Sequence, residues 1–298
     1  MLQQQKSFQN EEKELGDLYL VPTPIGNLED MTFRAIKVLK EVDVIAAEDT
    51  RQTKKLCNHF EINTPIFSYH EHNKETSGNR VLELLQQKKN IALVSDAGMP
   101  TISDPGSELV KQVLASGGSV IPLPGANAAL TALIASGITP QPFYFFGFLD
   151  RQKKEKKQQL AQLRGRMETI ILYESPHRLK ETLQLIADYL GNRSICISRE
   201  LTKKFEEFIR GSVSEVMKWS EENEIRGEFC IIIEGAHEDV HTEKEDAWWS
   251  HLSLKEHVDH YIKQDMSSKE AIKRVSSERN IQKREVYQAY HIYEKGCQ

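Results

Sequence analysis

The twelve residues Ser95-Asp96-Ala97-Gly98-Met99-Pro100-Thr101-Ile102-Ser103-Asp104-Pro105-Gly106 bring together two Asp, two Gly and two Pro directly after the apolar run Ile91-Ala92-Leu93-Val94. Prolines stiffen such a backbone and glycines let it approach a ligand closely. Two carboxylates suit a ligand that is rich in donors or positively charged. We assign a ligand role to Asp96, just beyond the strand. Asp104 is open between ligand contact and capping of the helix that begins Ser107-Glu108-Leu109-Val110. A buried parallel strand at Ile91-Ala92-Leu93-Val94 would put this loop at the carboxyl edge of an open α/β sheet, where ligands bind.

The surrounding pattern supplies such a sheet. Leu18-Tyr19-Leu20-Val21 reads as a strand entering the loop Pro22-Thr23-Pro24-Ile25-Gly26-Asn27-Leu28. Thr32 can cap a helix whose apolar residues Ala35, Ile36, Val38, Leu39 and Val42 recur at helical spacing. Val44-Ile45-Ala46-Ala47 is a strand ending in Glu48-Asp49-Thr50-Arg51. A short strand at Ile66-Phe67-Ser68, a helix over 80–87 and a strand at Ser119-Val120-Ile121-Pro122-Leu123 complete the alternation. It predicts a mostly parallel sheet with helices on both faces, an N-terminal α/β domain over 17–123.

A second α/β domain over 124–235 opens at Pro124-Gly125-Ala126-Asn127-Ala128-Ala129-Leu130. Its strands are the aromatic run 143–148, then Thr169-Ile170-Ile171-Leu172-Tyr173, Ser194-Ile195-Cys196-Ile197-Ser198 and the run 228–234. Glu174-Ser175-Pro176-His177-Arg178 leads into a helix bearing Leu179, Leu183, Ile186 and Leu190, with Pro176 suited to its first turn and Gly191 to its exit. Ser212 and Glu215 form a capping box. Residues 1–16 are expected to be a disordered tail, 236–247 an acidic linker and 248–298 a small helix-turn-helix-like bundle.

Composition narrows the function classes. The chain has 298 residues and a net charge of −5, which argues against a surface that coats nucleic acid throughout. Yet residues 151–166 hold seven Lys/Arg against one acid, Glu155. The four cysteines are widely spaced and form no C-x-x-C pair, so neither a disulfide framework nor a zinc ribbon is expected. With no H-E-x-x-H among the histidines, no structural metal is expected either. Neither G-x-x-x-x-G-K-[ST] nor G-x-G-x-x-G is present, and the ligand loops carry no lysine, which favours a ligand without phosphates. No apolar run approaches a membrane span or a signal peptide, so we expect a cytoplasmic protein.

In order, PTPIGNLEDMTFRA, AAEDTRQT, SDAGMPTISDPG, PLPGANAAL, FYFFGFL, YESPHR, SRELTKKFEE and GEFCIIIEG resemble the tetrapyrrole-methylase-like class of S-adenosylmethionine methyltransferases. Within that class they are similar to the bacterial enzymes that methylate small-subunit ribosomal RNA. The resemblance spans about 18–235, and the tail past Trp248 is similar to the helix-turn-helix extension of that group. It implies a dimer of two-domain subunits with S-adenosylmethionine in the cleft between the domains. The implied reaction is methylation of the ribose 2′-hydroxyl of a cytidine in the decoding region of 16S ribosomal RNA, on the small subunit. Carried over by motif, the cofactor would meet Pro24, Ile25, Asp96, Gly98, Met99, Asn127 and Ala128, with Tyr173 and Phe229 as further candidates.

Methyl transfer from sulfonium to oxygen is an in-line displacement, so alignment supplies much of the acceleration. A ribose hydroxyl is a weak acid, so a nearby base or cation helps. Candidates follow three predicted strands: Glu48, Asp49 and Arg51; Glu174, His177 and Arg178; and Arg199, Glu200 and Lys203. Helix capping or ion pairing between loops is the alternative for each. In the basic block, Lys153, Lys154, Lys156 and Lys157 are expected to contact RNA backbone. Two other functions are compatible with parts of the pattern: a methyltransferase of a small porphyrinoid, and a non-catalytic RNA-binding protein worked by the C-terminal bundle.

Overall fold

A computed structural model describes residues 4–5, 14–236, 248–249, 251–264, 266–279 and 281–292. The chain divides into two compact units at Ala236. The linker expected over 236–247 lies outside the described residues apart from Ala236, as do Cys297 and most of the tail expected over 1–16.

The first sheet runs β3 (Ile66–Ser68), β2 (Val44–Ala47), β4 (Ile91–Val94), β1 (Asp17–Leu20), β5 (Ser119–Pro122), and every pairing is parallel. Side chains of β4 alternate between two cores. Ala92 and Val94 pack with α1 (Phe33–Glu41) and α2 (Thr50–His59), while Ile91 and Leu93 pack with α3 (Lys74–Gln86) and α4 (Ser107–Ala115). A strand buried on both faces must be apolar throughout, which is why this run carried so clear a signal. Thr32 caps α1 by accepting from Ala35 N at 3.1 Å, as its position predicts. At the open edge, the Gln5 amide accepts from Val120 N at 2.9 Å and donates to Val120 O at 3.0 Å.

The second sheet runs β6 (Phe143–Phe148), β7 (Thr169–Glu174), β10 (Phe229–Ile233), β8 (Ser194–Arg199), β9 (Glu207–Ser212). Only β6 and β7 pair in parallel; the other neighbours are antiparallel. One face is covered by α6 (Lys153–Leu163), α7 (Leu179–Leu190) and α8 (Val213–Glu222), the other by α5 (Ala128–Ala135). Pro176 stands in the turn before α7 rather than inside it, Gly191 ends the helix at φ 85°, and the Ser212–Glu215 capping box starts α8. Cys196 and Cys230 are core residues of this half, and Cys57 is buried in the first.

In the second unit, α9 (Leu254–Ile262), α10 (Ser268–Arg279) and α11 (Lys283–Ile292) close on Val258, Tyr261, Ile272, Val275 and Val286. Beneath them the buried His257 accepts at Nδ1 from Arg279 Nε at 3.1 Å and faces Glu278 with Nε2 at 3.0 Å. Those partners require the tautomer protonated at Nε2.

The structure corrects the reading of Lys156 as an RNA contact. Leu160, Leu163 and Lys156 share the buried face of α6, and the Lys156 ammonium is fully buried between Glu181 Oε2 at 3.3 Å and Thr182 Oγ1 at 3.2 Å. An apolar chain of like volume strands no buried charge here, because Glu181 is exposed and keeps Lys153, whereas truncation leaves a void. Lys156→Met is therefore expected to keep stability within about 1 kcal/mol of wild type, and Lys156→Ala to lose about 2–3 kcal/mol, both measured by urea unfolding.

Candidate functional site

Parallel register brings the ligand loops to one end of the first sheet. Ala47 pairs with Val94, so Glu48 and Asp49 leave β2 beside Ser95 and Asp96 leaving β4, and Asp49 N donates to Asp96 Oδ1 at 2.9 Å. On the other flank of β4, Thr23 and Gly98 exchange two backbone hydrogen bonds of 3.0 Å, and Thr23 Oγ1 donates to Ser95 O at 3.1 Å. Gly98 takes φ +80°, and a Cβ there would stand 3.3 Å from Ile25 Cγ2. A side chain at Gly98 would thus be strained and crowded in the tightest part of the loop.

A cavity of about 460 Å³ opens over these loops and the second sheet. Ile25, Asp96, Gly98, Met99 and Asp104 supply one wall; Asn127 and Ala128 begin α5 beside it; Tyr173, Glu174, Ser198, Glu200, Lys203, Phe229 and Cys230 supply the other. Asn127 caps α5, accepting from Leu130 N at 3.0 Å, which exposes its backbone to the cavity edge. Tyr173 is packed edge-on between Phe145 and Phe148, and its hydroxyl accepts from Ala129 N at 3.1 Å. Burial pushes that hydroxyl up to about 12, so it stays a neutral phenol.

The acidic wall holds a protonatable group. Glu48 Oε2 is buried without a hydrogen-bond partner among the described residues. Burial first, then the charges of Asp104 and Asp96, push its carboxyl up to about 7. Burial and the Asp96 charge likewise raise Asp104. Asp96 and Asp104 line the cavity here, with Glu48 beside them, and make this end attractive to positive charge.

Opposite stands the cation Lys203, whose Nζ donates to Glu200 Oε1 at 3.0 Å and Glu228 Oε2 at 3.2 Å. Burial alone would lower the ammonium, but these two carboxylates hold it above its ordinary value, so it is charged at neutral pH. Its stem packs where a Cβ on Gly26 would lie, 2.3 Å from Lys203 Cγ, which ties the loop after β1 to the loop after β8.

Of the residues singled out in the sequence, Ile25, Asp96, Gly98, Met99, Asn127, Ala128, Tyr173, Phe229, Glu174, Glu200 and Lys203 meet at this cavity. For Asp104 one of the two alternatives falls, and three other residues stand elsewhere than expected. Asp104 does not cap α4, whose N-cap is Gly106, and it faces the cavity instead. Pro24 is not among the lining residues, because the Thr23–Gly98 pairing turns Ile25 inward. Arg51 forms a 2.8 Å ion pair with Asp49 on the surface, outside the cavity wall. Arg178 is tied to Leu149 O at 2.7 Å, Asp150 O at 2.8 Å and Glu174 at 3.3 Å, behind the wall it supports.

Glu174 accepts from Ser175 N and Thr182 Oγ1 and pairs with Arg178, contacts that hold this part of the wall in place. His177 is exposed, and Arg199 pairs with Glu207 at 3.0 Å. Sequence reasoning passed over Ser198, Cys230, Glu228 and Phe148. The first two sat in runs read only as strands, although their position at strand ends, like that of Tyr173, was the available signal.

The chain belongs to the tetrapyrrole (corrin/porphyrin) methylase family, whose model matches residues 17–217. It is 65% identical to Ribosomal RNA small subunit methyltransferase I of Bacillus subtilis (strain 168) over 98% of this chain and 99% of that one. It is 44% identical to the protein of the same name from Synechocystis sp. (strain ATCC 27184 / PCC 6803 / Kazusa), over 92% and 97%. Among solved structures, the methyltransferase CobJ superposes with a TM-score of 0.58 at 16% identity, covering 74% of this chain and 95% of its own. The cobalt precorrin-4 methyltransferase CbiF gives 0.57 at 17%, covering 73% and 94%.

S-adenosylmethionine is the methyl donor of this methylation. The cavity fits that molecule: carboxylates face where its sulfonium and ammonium charges could lie, and aromatic and apolar side chains offer a bed for its base.

The Glu48 carboxyl gives a testable pH signature. Its native pKa of about 7 lies above the ordinary 4.5, so the folded protein holds a proton that the unfolded chain releases. The contribution of Glu48 to stability therefore falls as pH rises from 4.5 to about 7 and is then level. Glu48→Gln should remove that slope, melting with wild type at pH 4 and being more stable on the order of 1 kcal/mol at pH 8; thermal melts across that range check it.

Proposed function

We propose that this chain transfers a methyl group from S-adenosylmethionine to the ribose 2′-hydroxyl of a cytidine in the decoding region of 16S ribosomal RNA, acting on the small ribosomal subunit as a cytoplasmic homodimer. Coverage carries this reading. The relatives named for small-subunit ribosomal RNA methylation align with 92% to 98% of the chain, helical second unit included. The methyltransferases CbiF and CobJ share only about three quarters of it, while using nearly all of their own length. A porphyrinoid enzyme has no use for the remainder, and a mere RNA-binding protein has none for the acid-lined cavity.

The cofactor supplies an electrophilic methyl group on a positively charged sulfur. The chain's part is then electrostatic and positional. Asp96 and Asp104 would hold the cationic end, and the Thr23–Gly98 pairing fixes the loops that would align the donor. Lys203, charged and held by Glu200 and Glu228, is suited to stabilise a hydroxyl oxygen that gains negative charge as it attacks. Arg178 and Glu174 act through the wall they brace.

For RNA backbone contact, α6 presents Lys153, Lys154 and Lys157, with Lys156 withdrawn into the core. Lys153 is shared with Glu181 at 3.3 Å. Lys154 and Lys157 carry no such ion pair among the described residues, so they are the better phosphate partners.

Labelled S-adenosylmethionine offered with small subunits, free 16S RNA and a porphyrin precursor tests the substrate. Label is expected in the RNA of the subunit, within an alkali-resistant dinucleotide, because a 2′-O-methyl group blocks cleavage of the adjoining phosphodiester. Label in the porphyrin, or in an alkali-labile nucleotide, overturns the reading. Neutralising Lys154 and Lys157 together should flatten the salt dependence of subunit binding by about 1–2 in log–log slope, and Lys156→Met should leave it unchanged.

A further inference from the structure

The sheet side of the cavity contains a polar atom that the fold leaves unmatched. Ser198, near the end of β8, is fully buried, and apart from a weak interaction with the Cys196 thiol its Oγ has no hydrogen-bond partner among the described residues. Buried hydroxyls are normally paired, so an orphan calls for a partner the protein does not itself supply. Ser198 lines the cavity, which is where such a partner would arrive.

Register fixes what surrounds it. Ser198 lies opposite Cys230 of β10, Cys230 opposite Tyr173 of β7, and Tyr173 beside Phe148 of β6. All four line the cavity, forming a row across the sheet of one hydroxyl, one thiol and two aromatic rings. The Tyr173 oxygen already accepts from Ala129 N. Burial pushes the Cys230 thiol up to about 12, leaving it a neutral, weak partner. The Ser198 hydroxyl is thus the group in this row free both to donate and to accept. The carboxylates on this side, Glu174 and Glu200, are already paired with Arg178, Thr182 and Lys203, and the unpaired Asp96 and Asp104 sit on the opposite wall, so the row suits the uncharged, planar part of a ligand.

We propose that Ser198 Oγ hydrogen-bonds the edge of the purine ring of the bound cofactor and so selects the nucleoside base, an inference that rests on this cavity being the S-adenosylmethionine site. A hydroxyl suits the task, since a purine edge presents ring-nitrogen acceptors and an exocyclic amino donor. Ser198 is a specificity residue in this role and takes no part in the transfer of the methyl group.

The test is calorimetric and needs no turnover. S-adenosylhomocysteine and its 1-deaza, 3-deaza, 7-deaza and N6-dimethyl analogues are titrated into wild type, Ser198→Ala and the volume-conserving Ser198→Cys. Both variants should bind S-adenosylhomocysteine about threefold to tenfold more weakly. One analogue should cost wild type that same factor and cost Ser198→Ala nothing. Binding by Ser198→Ala within about twofold of wild type, or an equal loss for every analogue, overturns the contact. Ser198→Phe, which fills the cavity, separates the two ideas. If it abolishes binding while Ser198→Ala is silent, only the Ser198 contact fails; if it binds like wild type, the cavity itself is not the cofactor site.

Discussion

The two hydrogen bonds between Thr23 and Gly98 hold the functional end of this molecule together. Parallel strands end in loops that point the same way but are otherwise independent, and loops left to themselves are the least stable part of a fold. Here the loop after β1 is locked to the loop after β4, and the loop after β2 is locked to it from the other flank through Asp49 N and Asp96. Three strand ends become one rigid lip. Gly26 then lets Lys203 lie across that lip, so the second sheet is registered against the first at the cavity itself.

The carboxylates at the two walls of the cavity are treated differently. In the second half, carboxylates are neutralised by neighbours: Glu174 by Arg178 and Thr182, Glu181 by Lys153 and Lys156, Glu200 by Lys203. In the first half, Glu48, Asp96 and Asp104 interact without an ion pair to any of them among the described residues, and Glu48 responds by holding its proton. An arrangement that costs folding free energy in the free protein is one that a cationic ligand can relieve on binding.

Much of this fold could be read from the chain because its core strands are buried on both sides. Val44–Ala47, Ile66–Ser68 and Ile91–Val94 appear at the bounds the apolar runs predict, and the Thr32 cap and Ser212–Glu215 box mark true helix starts. Other elements escaped, two of them for plain reasons. α2 is almost wholly polar, with Thr53, Leu56 and Cys57 alone turned inward, and β9 is a half-exposed strand without an apolar run. At the site, residues on the strand-end loops were legible because Gly, Pro and Asp are costly to place without purpose. Asp104 was ambiguous because capping and ligand contact ask for the same residue type. Lys156 misled because charge counts along a helix ignore which face the residue occupies, and its stem falls in line with Leu160 and Leu163. Ser198 was silent because a serine inside an apolar run looks like filler until its lack of a partner is seen.

A last consequence concerns where the first sheet stops. β5 is an edge strand, and an edge ordinarily offers its unpaired peptide groups to any extended segment that comes by. At Val120 those groups are taken by the Gln5 side chain, whose primary amide imitates one peptide unit with its single acceptor and its NH2 donor. Unlike a strand, a side chain has no outer rim of its own on which a further strand could build. Among the described residues the sheet ends at β5, with the peptide groups of Val120 already occupied by this amide.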